Sequence, residues 1–136
     1  MMMRLRPALA GLALICGIAP VSAQNVMVYL FDRLDQPAYA RAWAAMLGDQ
    51  RHLPPWLVNR AKGATQGAGR QIVIEGQDAE LYGACQPHNC SDNRFVVMFT
   101  DRGVRAKGVL IEDNGTPRFF GNPDPVEAAA LLRPGL

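Results

Sequence analysis

Two cysteines with a histidine between them are the residues best equipped for chemistry in this chain. The segment Cys85-Gln86-Pro87-His88-Asn89-Cys90 sets four residues between the thiols. That spacing is too long for the C-x-x-C of a thioredoxin-like redox site. A zinc site would take both thiolates and His88 and would still need a fourth ligand, from His52 or an acidic residue. Zinc also requires deprotonated thiols, which an oxidising compartment disfavours. A disulfide is the remaining reading. By chain entropy such a short loop gains only roughly 2 kcal/mol from closure. Its larger consequence is shape: the clip and the fixed φ of Pro87 hold the enclosed polar residues Gln86, His88 and Asn89. Two readings stand at this point. Either the loop is a stiff projection that holds an imidazole outward and lowers the ordering cost of binding, or it is a clipped hairpin end with an incidental histidine.

Other constellations are missing from the sequence. It contains no G-x-S-x-G, no Gly-rich phosphate loop and no H-E-x-x-H. Asp35, Asp78, Asp101, Asp113 and Asp124 stand where turns and helix caps are expected, which is ordinary for aspartate. His52, just before Leu53-Pro54-Pro55-Trp56, reads as a partly exposed packing histidine. The expectation is a protein that is not an enzyme, with no metal and no cofactor.

The disulfide reading depends on the compartment, and the first residues speak to that. Arg4 and Arg6 precede an uncharged run from Pro7 to Pro20, and Val21-Ser22-Ala23 supplies small residues. This is the pattern of a secretory signal peptide over residues 1–23, cut before Gln24. The apolar run is short for a membrane span, which needs roughly 20 residues. Cys16 lacks the small preceding residue of a lipidation site. Residues 24–136 then suit one domain with one core. Two of the fourteen basic residues and none of the twelve acidic ones lie in residues 1–23, so the remainder holds twelve of each and is neutral. Such a balance gives no electrostatic reason to expect nucleic acid or a membrane as partner once the signal is removed.

The elements that would position the loop follow from pattern. Asn25–Phe31 is dense in apolar residues and reads as a strand. Asp35 can cap a helix with Pro37 in its first turn, and Tyr39, Trp43, Met46 and Leu47 form its apolar face up to Gly48. Leu53–Val58 is a Pro-bent connection and Ala61–Arg70 a loop. Strands are expected over Gln71–Glu75, Ala79–Cys85, Arg94–Thr100, Ala106–Glu112 and Arg118–Phe120. Turns at Gly76-Gln77-Asp78, Asp101-Arg102-Gly103 and Asp113-Asn114-Gly115 separate them. The nearly all-apolar Arg94–Thr100 reads as central and covered on both faces. Asp124-Pro125-Val126-Glu127 is a capping-box start for a last helix that buries Val126, Ala129, Ala130 and Leu131. The fold class is α+β: an antiparallel sheet of about five strands, a helix on one face and a short C-terminal helix.

The loop resembles the inhibitory loop of the Ivy family, the bacterial inhibitors of vertebrate (c-type) lysozyme, whose pattern is C-K-P-H-D-C. Here it stands as C-Q-P-H-N-C. His52-Leu53-Pro54-Pro55-Trp56 is similar to a shortened form of the family's H-K-L-P-x-W stretch. Leu81-Tyr82-Gly83-Ala84, Arg94–Phe99 and Phe120-Gly121-Asn122-Pro123 are similar as well, so the likeness covers most of residues 24–136. The resemblance implies a periplasmic homodimer that protects the cell wall by plugging the lysozyme cleft, with Cys85–Cys90 as the target-binding loop and His88 presented to the catalytic carboxyl groups. Gln86 and Asn89 depart from the family's lysine and aspartate. That departure implies weaker inhibition of animal lysozyme, or a related muramidase as target, such as the bacterium's own lytic transglycosylases.

Overall fold

Arg94–Thr100 is the strand around which everything else is arranged. Its alternation sends Phe95, Val97 and Phe99 to one face and Val96 and Met98 to the other, and all five are buried. Only a strand covered on both sides can be apolar throughout. The computed structural model describes residues 27–133 and supplies both covers. Residues 1–23, read as a signal peptide, lie outside the described residues.

In chain order the elements are α1 (Leu30–Leu34), α2 (Pro37–Leu47), a 3-10 turn (Gln50–His52), α3 (Val58–Ala61), β1 (Thr65–Gln66), β2 (Arg70–Ile74), β3 (Gln77–Cys85), β4 (Arg94–Thr100), a 3-10 turn (Asp101–Gly103), β5 (Arg105–Ile111), β6 (Arg118–Phe120) and α4 (Pro125–Leu131). The sheet is an antiparallel meander in the order β1-β3-β4-β5-β6, with β2 also on β3. The expected α+β class therefore holds, with six strands rather than about five. The extra one arises because a single edge strand is cut in two. Thr65 and Gln66 pair with Cys85 and Ala84, while Arg70–Ile74 pairs with Leu81–Gln77. Between the two pieces the chain passes over the Tyr82 ring, where a Cβ on Gly69 would come within 2.2 Å of it.

On one face Trp43 meets Phe95 edge-on at 5.4 Å and Tyr39 meets Phe99 at 5.0 Å. Leu30, Leu34, Met46, Leu57 and Leu110 fill the space around them. Each large side chain buried here contributes about 1.5–3 kcal/mol. Arg33, Tyr39 and Gln71 all donate to the Glu80 carboxylate, at 2.6, 2.7 and 2.9 Å, at the end of this face away from Cys85. On the other face α4 sets Ala130 and Leu131 against Leu81, Val96, Met98, Val109 and Ile111.

Three local expectations are corrected. The strand expected over Asn25–Phe31 does not form in its described part, residues 27–31: α1 begins at Leu30, because Asp32 accepts from the Tyr29 N–H and Leu30 and Leu34 share one buried face. Helix α2 starts from Gln36, since Asp35 instead ends α1. Helix α4 is rolled from its expected face, leaving Val126 and Ala129 exposed and Glu127 buried. Glu127 Oε2 accepts from the Asp124 N–H at 2.8 Å and from Lys107 Nζ at 2.5 Å, and this double role fixes the roll. Among the described residues no helix is long and apolar enough to cross a membrane.

Candidate functional site

Strands β3 and β4 stay paired up to Cys85 opposite Arg94, and the connection between them leaves the sheet there. Cys85 and Cys90 are disulfide-bonded, with their Cα atoms 4.9 Å apart. Joined in this way, neither sulfur is a thiolate that could ligate zinc. All six loop residues read from the sequence come together in this one projection. Pro87, His88 and Cys90 are exposed, and Cys85, Gln86 and Asn89 are half-buried at its base.

Inside the clip the backbone makes one tight turn. The Asn89 N–H donates to the Gln86 carbonyl at 3.0 Å, with Pro87 and His88 as the two central residues. His88 has φ of 64°. Proline first and a positive φ second are the signature of a type II turn. The left-handed conformation is uncommon for a residue with a Cβ, although histidine is enriched there relative to most. Holding it costs of order 1 kcal/mol. The covalent clip and the turn hydrogen bond supply the constraint that keeps it. The exposed imidazole makes no hydrogen bond among the described residues, so both ring nitrogens are unengaged. Across the turn, Asn89 Nδ2 donates to Gln86 Oε1 at 3.2 Å. The two residues that differ from the C-K-P-H-D-C pattern are therefore partners. Their neutral amide pair sits where lysine and aspartate would place opposite charges.

The base of the loop is held by residues that sequence reasoning missed. Asn93 is one of the few buried polar residues, 7% exposed. Its carbonyl accepts from the Gln86 N–H at 3.0 Å, and its own N–H donates to the Asn89 carbonyl at 3.1 Å. Its side-chain Oδ1 accepts from the Asp113 N–H at 2.9 Å. Beside it, the Asn114 N–H donates to the Asp92 carbonyl at 2.9 Å. Asp113 and Asn114 both have positive φ, and Gly115 N–H closes their turn on Glu112, so the β5–β6 hairpin turns at Asp113-Asn114. The Asp-Asn-Gly signal located this hairpin correctly. Nothing in it showed that the outward N–H groups reach the loop.

His52 lies apart from the loop's hydrogen bonds. Its side chain is exposed, and its carbonyl accepts from Arg118 Nη2 at 3.0 Å. One trio of carboxylates among the described residues has metal-like spacing, Glu75, Asp124 and Glu127. Asp124 and Glu127 are engaged in the α4 capping box and Glu127 also in the Lys107 pair. The backbone N–H of Glu127 is the chief reason that the Asp124 carboxyl titrates below its ordinary value.

Comparison with known proteins adds what geometry alone does not supply. Residues 38–134 match the family model described as inhibitor of vertebrate lysozyme (Ivy). An inhibitor of vertebrate lysozyme from Pseudomonas aeruginosa is 35% identical over 93 residues, covering 68% of this chain and 59% of that protein. An uncharacterized protein of Yersinia pestis is 30% identical over 104 residues, covering 76% of this chain and 64% of that protein. The matched part of the chain spans about three fifths of the length of these relatives.

Proposed function

The chain belongs to the Ivy family of inhibitors of vertebrate lysozyme, and on that premise we propose that it inhibits c-type lysozyme by filling the catalytic cleft with the Cys85–Cys90 loop. The observation that carries this reading is His88 in a left-handed conformation at the exposed tip of a disulfide-closed turn. Lysozyme works with two carboxyl groups in a cleft, one of them kept protonated by an apolar pocket. A ring with two unengaged nitrogens can hydrogen-bond to both. Such bonds are short and strong where a partner is ionised and water is excluded. Because the turn is already ordered, little conformational entropy is lost on docking. The protein performs no reaction; it occupies the site, with Gln86, Pro87 and Asn89 forming the flanks of the plug.

The same reading places residues 24–136, as one domain, in the periplasm after removal of residues 1–23. There it acts as a homodimer that shields the cell wall. In support stand the basic–apolar–small pattern of the first residues and a disulfide suited to an oxidising compartment.

The test is inhibition of a c-type lysozyme on a cell-wall suspension by the residue 24–136 protein, compared with His88→Asn. Asparagine tolerates positive φ, so this variant removes the imidazole and keeps the turn. We expect inhibition to fall at least about tenfold, the loss of one hydrogen bond to a charged group. Unchanged inhibition in the folded variant would refute the plug.

The Gln86–Asn89 amide pair favours a second reading. Without lysine and aspartate the loop makes fewer charge-assisted contacts, and the target is then one of the bacterium's own lytic transglycosylases. Inhibition of such an enzyme, with none of c-type lysozyme, would decide for this alternative.

A further inference from the structure

A buried asparagine one residue before a central strand needs a reason, since burying an amide is costly unless it is hydrogen-bonded. Asn93 has three bonds that together form a chain. Asp113 N–H holds its side-chain oxygen at 2.9 Å. Its backbone C=O and N–H then hold Gln86 and Asn89 at 3.0 and 3.1 Å. Those two residues are the ends of the turn whose centre is His88. A second bond in parallel, Asn114 N–H to Asp92 C=O at 2.9 Å, fixes the neighbouring peptide. In an isolated hairpin of this turn type the amides of the two central residues would face water. Here both are committed to residues 92 and 93.

We propose that Asn93 is a positioning residue for inhibition, tying the tip of the β5–β6 hairpin to the His88 turn so that the two move as one rigid piece. The disulfide fixes the loop's shape, but one clip between Cys85 and Cys90 leaves the closed loop free to rock about the strand ends. Asn93 removes that freedom, because any rocking must break its bond to Asp113 or its bonds to Gln86 and Asn89. Orientation of a binding group matters as much as its presence when the partner site is a narrow cleft. This inference rests on the reading of His88 as the group that enters the target.

The experiment compares Asn93→Ala, Asn93→Asp, His88→Asn and the Asn93→Ala/His88→Asn double variant in the residue 24–136 protein. Each is measured for inhibition of c-type lysozyme, for thermal unfolding, and for amide hydrogen exchange at Asn89 and Asp113. Asn93→Ala is expected to stay folded, to exchange faster at both amides, and to inhibit about tenfold more weakly, the scale of one lost ordered hydrogen bond. Asn93→Asp keeps an oxygen for the Asp113 amide and is expected to restore both protection and inhibition. In the His88→Asn background the alanine change is expected to cost clearly less than in the parent, because only the flanks of the plug are left to position. Should Asn93→Ala not fold, Asn93→Ser, whose hydroxyl falls short of the Asp113 amide, reads the same loss. Full inhibition by Asn93→Ala alongside a defective His88→Asn would overturn the inference and leave the plug standing. Additive losses in the double variant would overturn it too, showing that Asn93 acts only through stability. Full inhibition by His88→Asn would instead bring down the plug reading itself, and the inference with it.

Discussion

Removing the disulfide by Cys85→Ala together with Cys90→Ala separates the two jobs a small closed loop can do. The cysteines are five positions apart, so closing that loop is worth about 2 kcal/mol of chain entropy. For a domain of this size the melting temperature should fall by roughly 10 °C. The protein should remain folded, since the cores on both faces of the sheet involve neither cysteine. The effect on binding has a different origin. Without the clip, Gln86 is still held by Asn93 and Pro87 still has its φ fixed, but only single hydrogen bonds, Asn89 N–H to Gln86 C=O and Asn93 N–H to Asn89 C=O, then keep His88 and Asn89 in the turn, and both can leave it. Re-ordering two residues on docking costs about 2 kcal/mol, using the low end of the backbone entropy range. That corresponds to roughly thirtyfold weaker inhibition. Circular dichroism gives the melting curve, and clearance of a cell-wall suspension by c-type lysozyme gives the inhibition. Inhibition within about twofold of the parent would refute the claim that the clip is there for stiffness. Failure to fold at room temperature would refute the claim that the cores stand without it.

The polar cluster at the far end of the sheet supplies contrasting predictions. Glu80→Ala leaves the half-buried Arg33 and the Tyr39 hydroxyl without their carboxylate and should destabilise by about 3 kcal/mol. Glu80 lies five residues along β3 from Cys85, roughly 17 Å at strand rise. Inhibition by the still-folded fraction should therefore be unchanged, as a titration of active inhibitor against enzyme would show. Burial, and then the bond to Glu80, push Tyr39 from its ordinary 10.0 up to about 12. A raised folded-state value means stability is fully present below pH about 10 and is lost as pH rises toward about 12, because the native state holds the proton longer. Urea midpoints measured across that window should fall with pH, and Tyr39→Phe should flatten the slope. Tyr82, raised in the same direction chiefly by burial, accounts for the slope that remains.

What the sequence made legible, and what it hid, divides along chain distance. Strands β4 and β6 match their expected bounds and helix α4 its expected start, because their signals are local: an unbroken apolar run, a turn followed by paired aromatics, a capping box with proline. Asn25–Phe31 misled for the same reason. Its composition suits a strand, and the opposing signal, Leu30 and Leu34 four apart with Asp32 placed to cap Tyr29, is weaker than the apolar density around it. Helix α4 was placed correctly and turned wrongly, since its roll is set by Lys107, twenty residues upstream of Glu127. The loop sits at the favourable extreme. Cys85 and Cys90 close on each other within six residues and Pro87 fixes one φ of the turn between them, while the positive φ of His88 is a finding of the structure. Its base sits at the other extreme: Asn93 meets Asp113 twenty residues away, and Asp92-Asn93 reads in sequence as ordinary turn composition. Covalent closure can be read from spacing, whereas a hydrogen bond that aims the closed loop depends on which hairpin folds beside it. Substitutions guided by the loop motif alone would therefore preserve the shape of the plug while leaving its direction to chance. For that reason Asn93 and the Asp113-Asn114 turn belong in any transfer of this loop to another scaffold.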